Sequence, residues 1–95
     1  MFKLSTVETQ ARRKLIIEGK LMAPWTQEVE KAWHSAQQQL EGRKLIIDLR
    51  NVTVISADGE NTLLHLMREG ARFTCGGVLN RHLLRILARR CRCEG

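Results

Sequence analysis

Apolar and polar residues alternate with period two in two stretches near the start of the chain. Phe2, Leu4 and Thr6 alternate with Lys3, Ser5 and Val7, while Leu15, Ile17, Gly19 and Leu21 fall on one face with Ile16, Glu18 and Lys20 on the other. This is the pattern of half-buried strands, and the two stretches predict an antiparallel hairpin. The basic run Ala11-Arg12-Arg13-Lys14 has no periodicity and is expected to be an exposed connection. The period then becomes helical. Trp25, Val29, Ala32, Trp33, Ala36 and Leu40 recur opposite Gln27, Glu28, Glu30, Lys31, Gln37 and Gln38, with Pro24 in the first turn and Gly42 placed to stop the helix. That stripe puts Trp33 in the core. Leu45 to Leu49 is apolar at nearly every position, as in a central strand covered on both faces. From Asp58 to Glu69 the pattern is helical again, with Leu63, Leu64, Leu66 and Met67 on one stripe and Gly70 ending it. Arg72 to Cys75 reads as a brief strand, Gly76-Gly77 as a break, and Val78 to Arg92 as a final amphipathic helix. The order β-β-α-β-α-β-α favours an α/β architecture: a mixed β-sheet flanked by helices, with the opening hairpin supplying the antiparallel pairing.

At 95 residues the chain is expected to form one domain over its whole length, 1–95, with a single core. Hydrophobic content of 43% with only 4% aromatic residues suits an aliphatic core, not disorder. No apolar run approaches a membrane span, and residues 1–20 lack the apolar core of a signal peptide, so a cytoplasmic location without membrane partners is expected. Cys75, Cys91 and Cys93 are odd in number and argue for reduced thiols; Cys91-Arg92-Cys93 offers two thiolates without the histidine pair that would complete a zinc site, so neither metal nor cofactor is expected. The net charge of +6 is uneven. Residues 1–71 hold ten Lys or Arg against nine Asp or Glu, whereas residues 72–95 hold six arginines against Glu94 alone.

From the third strand to the start of the second helix runs Leu45-Ile46-Ile47-Asp48-Leu49-Arg50-Asn51-Val52-Thr53-Val54-Ile55-Ser56-Ala57-Asp58-Gly59, a buried strand running into a tight turn that opens a helix. This stretch resembles the signature of STAS domains, the anti-sigma-factor antagonist family, in which an isoleucine- and leucine-rich run containing Asp leads into D-S-(S/T)-G-L. A second stretch, Ile17 to Trp25, is similar to the entry to the first helix in small bacterial STAS-like proteins. The resemblance covers nearly the whole chain and implies an anti-sigma-factor antagonist-like module that docks onto a protein partner, an anti-sigma factor, its kinase or another signalling protein, in transcription control. Aligned on Gly59, Ala57 falls on the serine phosphorylated in regulated members, so no phosphoacceptor stands there. The implied partner surface is Ser56, Ala57, Asp58, Gly59 and the outward face of the following helix, with Asn61, Thr62 and His65.

The residues themselves weigh on this reading. Ser56 is placed to cap the helix, its oxygen within reach of free N–H groups, and Asp58 to match the helix dipole. His34, His65 and His82 lie on three different predicted helices and none is framed by a nucleophile and an acid, and Gly76-Gly77 lacks the lysine and hydroxyl of a phosphate loop, so catalysis is not expected. Arg81, Arg85, Arg89 and Arg92 recur at spacings of four, four and three and form a cationic stripe that can attract phosphates or an acidic partner. No aromatic residue interleaves them to stack on bases, so nucleic-acid binding is the second reading and sequence-specific recognition is disfavoured.

Overall fold

Seven elements form in the expected order. They are β1 (Phe2–Glu8), β2 (Arg12–Leu21), α1 (Trp25–Ala36), β3 (Lys44–Ile55), α2 (Ala57–Arg68), β4 (Arg72–Thr74) and α3 (Val78–Glu94). The structure, a computed structural model, describes residues 1–76 and 78–94, with the backbone alone for 78–80 and 91–94. The four strands make one mixed sheet in the order β1-β2-β3-β4. β1 pairs antiparallel with β2, and β2–β3 and β3–β4 are parallel. Because the parallel strands are added in one direction, right-handed crossovers place α1 and α2 on the same side of the sheet. α1 accordingly packs on β2 and α2, and α2 on β3 and α3. The core between them is aliphatic, built from Leu15, Ile17 and Leu21 of β2, Ile47, Leu49 and Val52 of β3, and Leu63, Leu64 and Leu66 of α2. Val29 and Trp33 of α1 and Leu87 of α3 complete it. Trp33, 3% exposed, lies in the core as its stripe predicts.

Four local expectations are corrected. The basic run is not an exposed connection: β2 begins at Arg12, and Arg13 is buried on the helix side. Its guanidinium donates to the carbonyls of Ala36 and Gln38, each at 2.7 Å, and of Gln39, while pairing with Glu8. These are carbonyls left free at the end of α1, where a cation also matches the helix dipole. α1 therefore stops at Ala36 rather than Leu40, with Gln39 and Glu41 at positive φ in the turn that follows. Trp25 is not part of the buried stripe but is 44% exposed and stacks on Phe2, ring centroids 5.5 Å apart, while Thr26 takes the buried position. β3 extends six residues past Leu49, to Ile55. Between the pairs Leu15–Ile47 and Leu21–Ile55, β2 advances six residues while β3 advances eight, the excess absorbed in two register shifts. These bulges break the alternation of side chains.

Candidate functional site

The turn after β3 is fixed to the end of β2. Ser56 N–H donates to the Leu21 carbonyl at 3.0 Å, and with φ −78° and ψ 174° Ser56 holds the extended backbone of an N-cap. Its Oγ accepts from Gly59 N–H at 3.1 Å, so Ser56 caps α2 as the sequence implies. Gly59 presses against the same carbonyl: a Cβ there would lie 2.5 Å from Leu21 O and 3.1 Å from Ile55 Cγ2. The glycine thus serves close approach of the helix to the sheet. Asp58 and Glu60 occupy the first turn, where carboxylates complement the positive end of the helix.

Of the residues expected to face a partner, Ala57, Asp58, Asn61 and His65 are exposed, and Ala57, Asn61 and His65 follow one another at helical spacing. Ser56 is half-buried at the entry to the helix. Gly59 and Thr62, by contrast, are buried, the helix rotating them toward β2 and the core, so they support the outward face without belonging to it. Sequence reasoning missed the lower end of this face. His65 Nε2 lies 2.7 Å from Glu69 Oε2, while Glu69 Oε1 accepts from Trp33 Nε1 at 3.3 Å. One carboxylate therefore links the exposed stripe of α2 to the core tryptophan of α1. The i, i+4 spacing of His65 and Glu69 was the available signal for the first contact.

On α3, Arg81, Arg85 and Arg89 are exposed, and the side chain of Arg92 lies outside the described residues. So do those of Cys91 and Cys93, whereas Cys75 is half-buried. Among the described residues no group of three His, Cys, Asp or Glu side chains is arranged to hold a metal ion, and no helix is long and apolar enough to cross a membrane. His34, His65 and His82 are all exposed, on three separate helices.

Asp48, in the strand that leads to the turn, is 3% exposed on the side of the sheet away from the helices. Its carboxylate accepts from the Arg50 guanidinium at 2.8 to 3.1 Å and from Arg50 N–H at 2.9 Å. The hydrogen bonds from Arg50 hold the carboxyl below its ordinary pKa, outweighing burial, and the attraction of Lys14 adds to them. A carboxyl with a depressed folded-state pKa stabilises the fold above its unfolded pKa of about 4, and that contribution disappears as pH falls through the folded value. Asp48→Asn is therefore expected to cost about 1–2 kcal/mol at neutral pH. In denaturant titrations across pH, the gap to the parent should close below about pH 4. A gap independent of pH would show that the carboxylate charge contributes nothing.

Comparison with protein-family models finds no match to the chain, and no curated protein matches it.

Proposed function

We propose that this chain is a non-catalytic protein–protein docking module of the STAS type, acting in bacterial signalling or transcription control through the exposed stripe of α2. The observation that carries the reading is the pinned helix start. Ser56 and Gly59 lock the first turn of α2 onto Leu21 O, so Ala57, Asp58, Asn61 and His65 are presented from a rigid element with little ordering left to be done on binding. The sequence resemblance at Ile17 to Trp25 and at Leu45 to Gly59 supports the family assignment, because both stretches meet at this turn. In the same reading the switch is absent: Ala57 has no oxygen to accept phosphate, and the Ser56 hydroxyl is engaged in the cap.

The test is capture of partners from a bacterial lysate with the parent chain and with two variants. Ala57→Arg places a bulky charge at the N-terminal end of the stripe, beside the turn, and should abolish capture of the specific partner, since a charge desolvated there is unpaired. The Arg85→Gln, Arg89→Gln double variant should retain that partner and chiefly slow its association. The reverse ranking would assign function to α3 instead.

A further inference from the structure

The sheet is wound on one side only, and the opposite face is strongly basic. The register places Lys3, Arg12, Lys14, Lys20, Lys44, Arg50 and Arg72 on it, against Glu18 and Asp48 as the only acids. Asp48 is already engaged by Arg50. The excess is greatest where β2, β3 and β4 begin. There Arg12 stands in register with Lys44, Lys14 with Ile46, and Ile46 with Arg72, so Arg12, Lys14 and Lys44 occupy positions stepped by about 5–7 Å and Arg72 lies about 8–10 Å beyond Lys44 and Lys14. Like charges directly opposite each other on adjacent strands destabilise a sheet, and among the described residues Arg12, Lys44 and Arg72 have no side-chain ion pair to offset this. An anionic ligand would.

The shape of the basic surface selects among anions. On the helix side of the same edge, Arg85 lines a groove with Ala71 and Phe73, the two residues flanking Arg72. Arg81, Arg85 and Arg89 then continue along α3 for about 12 Å. The cations thus run from Arg12 across Lys44 to Arg72, pass around the β4 edge to Arg85, and follow the helix. A bilayer is a plane and cannot touch both sides of a sheet edge, and a single phosphate spans only one step of this path. A flexible chain with a charge at every unit can follow it. We infer that the uncovered sheet face and α3 together form one track for the phosphate backbone of a single-stranded nucleic acid, bound without regard to base sequence. Among the described residues the half-buried Phe73 beside Arg85 is the one aromatic side chain on the path, so the contacts are made chiefly by charge and not by a series of stacked bases. The track uses neither the exposed stripe of α2 nor the turn before it, so the two contact surfaces do not overlap.

The experiment is fluorescence anisotropy with a labelled oligouridylate, over a salt series, using the intact chain. The parent should bind at low salt and weaken steeply as salt rises. Lys14→Gln, Lys44→Gln, Arg72→Gln should bind at least about tenfold more weakly, with the log–log salt slope reduced by about 2, the value for three lost contacts to a single strand. Arg85→Gln, Arg89→Gln should reduce the slope by about 1. A labelled oligothymidylate should behave as the uridylate does. Thermal melting of each variant provides the folding control, and loss of Lys44 opposite Arg12 should leave the melting temperature unchanged or higher. The inference is overturned if the parent fails to bind at low salt, or if either folded variant binds with the parent's affinity and slope. It is also overturned if phosphatidylserine vesicles or polyglutamate bind while the oligonucleotides do not.

Discussion

Replacing Trp33 by alanine should destabilise the fold by about 3–5 kcal/mol, the range for removing a buried aromatic side chain. The indole is 3% exposed and belongs to the same core as Leu15, Ile17 and Leu63. Losing it opens a cavity that aliphatic neighbours on a regular helix and sheet fill only in part. The change also strips Glu69 Oε1 of its N–H donor. For a domain of this size the effect approaches the whole of a typical folding free energy. Trp33→Phe, which keeps most of the volume and loses the hydrogen bond, should cost much less, and the comparison separates packing from the tie to α2. Urea denaturation of both variants measures this; a cost below about 1 kcal/mol for the alanine variant would place Trp33 outside the core.

Gly59→Ala should act in the direction opposite to helix propensity. Within an ordinary helix this exchange is favourable by about 1 kcal/mol, since alanine restricts the unfolded chain. Here the added methyl would meet a backbone carbonyl at 2.5 Å, and neither the β2 main chain nor the capped turn can withdraw without breaking the Ser56 to Leu21 hydrogen bond. The expected result is a loss of about 2–4 kcal/mol, within the range for overpacking a close contact. Asn61→Ala on the exposed face of the same helix should be near neutral, which makes it the internal reference. If Gly59→Ala raises the denaturation midpoint, α2 does not lie against β2 as described.

The parts of this fold that were legible in the sequence are those fixed by local pattern. Period two in β1 and β2, helical spacing behind Pro24, and the Ser56-to-Gly59 offset each belong to one segment and are read without knowing the rest of the molecule. What escaped depends on partners distant in the chain. Arg13 looks like one of several solvated cations until the end of α1 is brought over it, 23 residues away, and its guanidinium takes up the carbonyls there. β3 appears to stop at Leu49 because its two bulges move the buried positions from alternate residues to Leu49, Val52 and the half-buried Ile55. The basic sheet face was invisible for a related reason: Arg12, Lys14, Lys44 and Arg72 come from three strands, and counting charge along the chain assigns the excess to α3 alone. In the candidate site, Ser56 and the exposed residues followed from the start and phase of α2. The inward rotation of Gly59 and Thr62 did not, because it is set by contact with Leu21 and the core.

The bulges in β3 loosen the constraint on residue number in this strand as well as on residue type. Asn51, Thr53 and Val54 are exposed and can change side chain without touching the core. Each bulge holds one β3 residue more than β2 supplies opposite it, so loss of Asn51 or of Thr53 would erase a bulge, restore two-residue alternation and leave Val52 and Ile55 on the core side. The same loss between Leu45 and Leu49, where no bulge absorbs it, would reverse the facing of the strand that follows. The bulged segment is therefore where this strand can change length without changing architecture, and an alignment gap there carries the meaning of a gap in a surface loop.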